Sequence, residues 1–300
     1  MHESDGRDSP SQFPLQASLV VYGEVLYDCF PDGKQVLGGA PFNVAWALKG
    51  FGQDPLFVSS VGADSFAAKI HQQMESWGLR TGSLQQNATL PTGQVQVTIN
   101  NNEPSYDILM PSAWDAVSDV GVAATDLLYH GSLALRSATS RETLRAIIER
   151  SPAKRFFDVN LRSPHYAISD LKEWVHGADW LKLNIDELRE FTGAAKVDFL
   201  SATAAVDQLR ERYSVGNVLL TGGSEGALIR GEAGSELLSP APQADPFVDT
   251  VGAGDSFTAV TINGILKQEP LSEIMECAGA FAARVCGIAG ATTQQVEFYK

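Results

Sequence analysis

Short apolar runs that suit burial on both faces recur along this chain, each followed by a helix-like segment. That rhythm restricts the fold more than any other feature. Ala17-Ser-Leu-Val-Val-Tyr22 reads as a buried strand. Leu56–Val61 reads as another, after which Asp64 caps a helix to about Trp77. Asp126–His130 precedes a helix from about Ser140 to Arg150, and Arg155–Asp158 and Trp180–Leu183 are shorter strands. Asn217–Thr221 follows, and two strongly apolar helices close the chain. Buried strands alternating with crossover helices make a mostly parallel sheet, so the expected class is α/β. Gly93–Ile99 breaks the rhythm by alternating with period two, the mark of a half-exposed antiparallel strand. Asn100–Pro104 is a turn cluster and Ser105–Met110 the return, a hairpin suited to cover a cleft, with Glu24–Phe30 a candidate third strand. Residues 1–16 read as a flexible tail, and 17–300 as one domain with lid elements near 24–38 and 91–112.

Composition narrows the function. The 22 Lys and Arg against 36 Asp and Glu leave a formal charge of −14. Both nucleic acid and anionic lipid are bound through a surplus of Lys and Arg, so neither is an expected partner. Cys29, Cys277 and Cys286 show no Cys-x-x-Cys spacing, which argues against a disulfide scaffold and a structural zinc site. No apolar run reaches about 18 residues, and the polar start lacks a signal peptide's basic and apolar regions. The expectation is a cytoplasmic enzyme or binding protein. The five histidines form no metal-ligand spacing, and no Gly-x-Ser-x-Gly elbow occurs, so zinc, serine and cysteine hydrolases lack support.

Several constellations could carry chemistry. In Asp249-Thr-Val-Gly-Ala-Gly-Asp255, the run Gly252-Ala253-Gly254 can form a turn that opens a helix to about Leu266, with Asp255 in its first turn. A helix start offers free N–H groups and roughly half a positive charge to an anion. The plainer reading is a turn and a dipole-favouring acid. Gly38-Gly-Ala-Pro-Phe-Asn43 lets backbone approach a ligand closely, and Asn43 could bind either a polyol or local backbone. Asn184 and Glu187 fit a variant capping box, and equally the surroundings of a hydrated magnesium ion. Asp158, Asn160 and Arg162 alternate past a strand end and would share one face, with Arg162 free to reach a phosphate. Thr221-Gly-Gly-Ser-Glu-Gly226 is a glycine-rich turn against which a nucleotide could lie.

Taken together, Gly38-Gly39 with Asn43, Asn184 with Glu187, Thr221–Gly226 and Asp249–Asp255 resemble the ribokinase-like (PfkB) sugar kinases over residues 18–295. Phe157–Arg162, Tyr129–Arg136 and Gly39–Trp46 look most like the fructokinase branch. The resemblance implies a three-layer α/β/α fold with a small β lid. It also implies ATP, Mg2+ and a sugar as small-molecule partners. Asp255 would be the base facing a primary hydroxyl, with Gly252, Ala253 and Gly254 completing the anion hole. Asp28, Gly39, Asn43 and Arg162 would bind the sugar. Thr221, Gly222, Gly223, Gly226 and Asn184 would border ATP, and Asn184 and Glu187 would organise Mg2+ through water. Asp249 and Val251 match one side of the family's monovalent-cation loop, with the other side somewhere in Ala283–Gly290; K+ dependence is left open, as is a homodimer through the lid. Ala67 and Lys49-Gly-Phe-Gly52 depart from the pattern away from this chemistry.

The implied reaction is D-fructose to fructose 6-phosphate, with ribose, 2-keto-3-deoxygluconate and nucleosides as alternative acceptors. A catalytically silent scaffold is disfavoured by the intact Asp255 and glycine turn. A dinucleotide dehydrogenase is disfavoured because the turn after the first strand offers only Gly23. The helix start is expected to lower the pKa of Asp255.

Overall fold

The computed structural model describes residues 15–100, 103–194, 196–232, 234–238 and 240–300. Strands β1 (Leu15–Gln16), β2 (Leu19–Tyr22), β3 (Leu26–Cys29) and β4 (Gln35–Gly38) lead into helix α1 (Ala40–Gly50). Next come β5 (Leu56–Val61), α2 (Ser65–Trp77), β6 (Leu84–Gln86), β7 (Gly93–Asn100), β8 (Glu103–Ile108) and β9 (Val122–Ala124). The chain continues through β10 (Leu127–Gly131), α3 (Ala138–Arg150), β11 (Lys154–Asp158), α4 (Ile168–Val175), β12 (Trp180–Asn184) and α5 (Ile185–Thr192). It ends with α6 (Thr203–Tyr213), β13 (Asn217–Thr221), β14 (Ala227–Gly231), β15 (Gly234–Leu238), α7 (Ala253–Lys267) and α8 (Leu271–Val285).

The central sheet has the order β15-β14-β13-β12-β11-β10-β2-β5-β6. Every pairing from β13 to β6 is parallel, while β14 and β15 add an antiparallel edge. That edge is absent from the sequence reading, because Gly226, Gly231 and Gly234 make its short strands look like one long turn. Chain order reverses beside β2, with β5 and β6 on one side and β10 to β13 on the other. In open α/β sheets the crevice at such a reversal, beyond the carboxyl ends of the strands, is where small molecules bind.

Strand parity explains both cores. Leu19, Val21, Tyr129, Phe156 and Trp180 pack with residues of α1, α2, α7 and α8. Val20, Tyr22, Leu128, Phe157 and Leu181 pack with residues of α3, α4, α5 and α6. Three layers result, as the resemblance implies. Each buried side chain of this size contributes about 1.5–3 kcal/mol, so a polar residue in these strands needs a partner of its own.

A second, smaller sheet has the order β4-β3-β7-β8 and contains the segments expected to act as a lid. The expected hairpin is present as β7 and β8, and Glu24–Phe30 does supply a strand, β3, parallel to β7. Leu26, Val95 and Ile108 close its foot against Trp114 and Leu133. Asp64 anchors it as well, accepting from Ala67 N at 3.0 Å as the cap of α2 and from Thr92 N at 2.8 Å. Asn101 and Asn102, the tip of the turn cluster, lie outside the described residues. So do residues 1–14 of the expected tail, whereas Leu15–Gln16 pair in parallel with Val122–Ala124, two residues before the expected start of order.

Residues 290–299 form a strap across α1. Trp46 Nε1 donates to Thr293 O at 2.9 Å, and Trp77 Nε1 donates to Trp46 O at 2.9 Å. The Tyr299 ring packs beside Phe51, Trp77 and Phe281, with centroids 5.4–5.8 Å away. Among the described residues no helix is long and apolar enough to cross a membrane.

Candidate active site

The Gly-Ala-Gly turn shapes the start of α7. Gly252 has a left-handed φ of 79°, and a Cβ there would strike Ala291, so glycine is required twice over. Ala253 N donates back to Thr250 O at 3.2 Å and Ser256 N to Gly252 O at 2.8 Å. The turn therefore spends the Ala253 amide on its own backbone and leaves those of Gly254 and Asp255 free for an anion.

Asp255 stands in that first turn, and Asn43 Nδ2 from α1 donates to its Oδ2 at 2.8 Å. The expected lowering of its pKa is not found. Burial pushes the carboxyl up, and this outweighs the lowering effect of the Asn43 hydrogen bond and the Lys182 and Arg162 charges. Desolvation, which falls on a half-buried carboxylate between α1, α7 and the sheet, outweighs the helix dipole. Asp255 is thus a stronger base than a helix-start acid in water.

Beneath it lies a pair that the sequence reading missed. Asp158 and Lys182 each follow by two residues an aromatic of the α7-side core, Phe156 and Trp180, so both point under α7. Lys182 Nζ lies 2.8 Å from Asp158 Oδ2, with both groups buried, and Thr258 Oγ1 of α7 adds a hydrogen bond at 3.2 Å. A Cβ on Gly254 would lie 3.7 Å from Lys182 Nζ, which places the ammonium directly below the turn. The available signal was a lysine inside the apolar run Trp180–Leu183. The shared face expected for Asp158, Asn160 and Arg162 does not exist. The strand ends at Asp158, Asn160 has φ 36°, and the alternation stops there. Arg162 ends up exposed, yet its charge still acts on Asp28 and Asp255.

The proposed sugar side lies between lid and sheet. Gly39 has φ 108°, and a Cβ would come within 2.7 Å of Glu24 O, so the β2 exit and the α1 start touch backbone to backbone. Asn43 N donates to Gly39 O at 2.9 Å. Asp28 is half-buried on β3, where burial raises its carboxyl and Arg162 opposes the rise. Glu24, named in the sequence only as the start of a strand, is 4% exposed. Its pKa is pushed up to about 7 by burial, with Arg162 pulling it down and Asp255 pushing it up.

On the other side, Asn184 and Thr221 are register partners at the carboxyl ends of β12 and β13. Gly222 to Gly226 form the tight turn after β13, closed by Gly222 N to Gly226 O at 2.8 Å, with Gly223 at φ 60° and Gly226 at φ 121°. The capping box is realised: Asn184 Oδ1 accepts from Glu187 N at 2.9 Å and Glu187 Oε2 from Asn184 N at 2.7 Å. Glu187 Oε1 also accepts from Leu161 N at 2.8 Å, tying the loop that carries Arg162 to α5. With both oxygens engaged, the Glu187 carboxylate fits an outer contact to magnesium through water rather than direct ligation. Among the described residues no cluster of three or more His, Cys, Asp or Glu is placed to hold a metal directly. The two expected sides of the cation loop do meet: Gly290 N donates to Asp249 Oδ2 at 3.3 Å, and Val251 N to Asp249 Oδ1 at 2.8 Å.

A model of the pfkB family carbohydrate kinases matches residues 16–297, nearly the whole chain. The chain belongs to the pfkB family of carbohydrate kinases. This PfkB chain is 27% identical to a fructokinase of Klebsiella pneumoniae, over 93% of its own length and 95% of that protein. It is also 27% identical to a deoxyribokinase of Salmonella typhi, over 82% and 80%. The structure of aminoimidazole riboside kinase from Salmonella enterica, complexed with aminoimidazole riboside and an ATP analogue, superposes with a TM-score of 0.80 at 23% identity. That match covers 95% of the PfkB chain and 99% of the other, and shows the ribokinase-like fold.

Proposed function

We propose that this PfkB-family kinase transfers the γ-phosphoryl group of ATP to the primary hydroxyl of a small sugar, with D-fructose the first candidate. The observation that carries the reading is the Asn43–Asp255 hydrogen bond at the free-amide start of α7, above the Lys182–Asp158 pair. A carboxylate, an anion-binding turn and a buried ammonium thus converge on one point. That combination suits in-line phosphoryl transfer, where positioning and charge stabilisation do most of the work.

In this reading Asp255 Oδ1 receives the hydroxyl proton as the sugar oxygen bonds to the γ-phosphorus and the bond to the ADP oxygen breaks. Its raised basicity helps that proton move, and Asn43 fixes the other oxygen so that one lone pair faces the sugar. The amides of Gly254 and Asp255 and the Lys182 ammonium stabilise the transferring group. Asp28, Gly39, Asn43 and Arg162 hold the sugar under the lid. Thr221, Gly222, Gly223, Gly226 and Asn184 border the nucleotide. Magnesium, when bound with ATP, screens the phosphate charges; Glu187 and Asn184 would hold its water shell. Asp249 and Val251, with Gly290, would form a monovalent-cation site.

The net charge of −14 opposes the approach of ATP, so its binding rests on these local donors. The fructokinase relative favours fructose, and the deoxyribokinase relative keeps pentoses in the comparison. The experiment measures ADP release with Mg-ATP against fructose, ribose, deoxyribose, 2-keto-3-deoxygluconate and a nucleoside. Turnover of fructose with the highest kcat/KM is expected, falling about 10²-fold or more in Asp255→Asn. No turnover of any acceptor, or an unimpaired Asp255→Asn, would overturn the reading.

A further inference from the structure

Three buried polar atoms on the proposed sugar side have no hydrogen-bond partner among the described residues: Glu24 Oε2, Asn43 Oδ1 and Tyr129 Oη. Asn43 already grips Asp255 through its nitrogen, so its oxygen lies beside the reacting carboxylate. Tyr129 projects from β10 toward the α1 and α7 layer, where Asp158, Asp255 and Glu24 all act on its phenol. Of the three, Glu24 Oε2 is the most costly to leave unpaired, because a buried carboxyl oxygen without a donor has lost its hydration and gained nothing in return.

The backbone holds Glu24 firmly in that position. Gly23 before it has φ 149°, and a Cβ there would come within 2.5 Å of Pro41 Cγ. The Glu24 carbonyl abuts Gly39, the residue that opens α1. Glu24 therefore leaves β2 at the point where strand order reverses, clamped between two glycines that the sugar-side backbone requires. Its charged surroundings are mixed. Asp255 repels it, and Arg162 and Arg136 attract it. Arg136 is already committed to Asp115 through Nε and Nη2, both at 2.7 Å. Arg162 bonds only to the Leu161 carbonyl and makes no salt bridge among the described residues. One carboxyl oxygen without a donor and one guanidinium without a carboxylate thus act on each other and on Asp255. A polyol bridges such a pair, donating to the acid and accepting from the guanidinium.

We infer that Glu24 is a specificity-determining residue of the sugar site, its carboxyl accepting a hydrogen bond from a hydroxyl other than the one facing Asp255. Arg162 completes the grip by donating to the same or a neighbouring hydroxyl. The acceptor class this selects is a sugar with a free hydroxyl remote from the phosphorylated carbon. A deoxy analogue lacking that hydroxyl would leave Glu24 unpaired in the complex, a penalty that polar sites use to reject substrates.

This inference rests on the sugar-kinase reading. The test measures kcat and KM of wild type, Glu24→Gln and Glu24→Ala with the best acceptor and its monodeoxy analogues, and melting curves establish that each variant folds. Wild type should prefer the acceptor over one deoxy analogue by about 10-fold or more. In Glu24→Ala that preference should collapse toward unity, with KM rising more than kcat falls, and Glu24→Gln should lie between. Unchanged discrimination against every analogue in both variants would overturn the role of Glu24 while leaving the kinase intact. Absence of sugar turnover by wild type would overturn both readings. If Glu24→Ala fails to fold, the same ratio in the nearly isosteric Glu24→Gln decides.

Discussion

Asn43 and Asp255 are 212 residues apart in sequence and joined by one hydrogen bond of 2.8 Å. That bond links the first turn of α1 to the first turn of α7. It also holds down the basicity of Asp255 against the burial that raises it. Asn43→Ala removes a lowering contact, so the Asp255 pKa rises further. The acid limb of kcat/KM should move to higher pH, with a loss of about 10-fold at pH 7. A pH–rate profile of the variant checks this; a limb that stays in place would count against the contact.

Gly252 combines a left-handed backbone with the close approach of Ala291. Gly252→Ala should cost on the order of 1–3 kcal/mol of stability through backbone strain. It should also lower kcat by about 10²-fold, because displacing the free amides misplaces the transferring group. Urea unfolding and steady-state kinetics would separate the two effects.

Lys182 and Asp158 form a buried pair, and a pair of that kind depends on both members being present. Lys182→Ala strands the Asp158 carboxylate under α7 and should destabilise by about 3–5 kcal/mol. Combining Lys182→Met with Asp158→Asn should recover a large part of that loss without restoring activity. The unfolding midpoints of the singles and the double form the test.

Glu24 predicts a stability profile with a definite sign. Its folded pKa, about 7, lies above the unfolded value of 4.5. The folded state therefore holds the proton more tightly, and the associated stability is full below about pH 4.5 and lost as pH rises through 7. Asp255, Arg162 and Arg136 are the charged groups acting on it. Glu24→Gln should gain on wild type across that window, by up to about 3 kcal/mol at pH 8. Melting temperatures from pH 4 to 8 measure the difference, and a flat difference would contradict it.

In the proposed reading the β7–β8 hairpin is a lid that excludes water as well as covering the sugar. Replacing residues 97–106 by a short glycine-serine turn should raise the sugar KM about 10-fold and increase ATP hydrolysis without sugar. Coupled assays with and without acceptor distinguish these from a general loss of activity.

Much of this was legible in the sequence, for identifiable reasons. The doubly buried strands announced themselves as continuous apolar runs such as Leu19–Tyr22, and the lid as the alternation of Gly93–Ile99. Glycines at Gly252, Gly39 and Gly226 marked conformations that other residues avoid. Glu24, Lys182 and the fold-back of Asn160 were less visible. Whether a buried charge has a partner depends on strands distant in sequence, as Lys182 does on Asp158. Burial of Asp255 likewise depends on α1 and the sheet closing around it, which a local dipole argument leaves out.

The strap of residues 290–299 gives the site a mechanical dependence on groups that touch no substrate. It holds Ala291 against the Gly252 turn, is fastened to α1 at Thr293 through Trp46, and ends with Tyr299 packed on Trp77 and Phe281. The spacing of Asn43 from Asp255 is thereby referenced to an aromatic bearing surface of Trp77, Phe281 and Tyr299 behind α1. The alignment of acid and amide is set from the back of the helix, like a gauge whose adjusting screw is on the far side of the instrument.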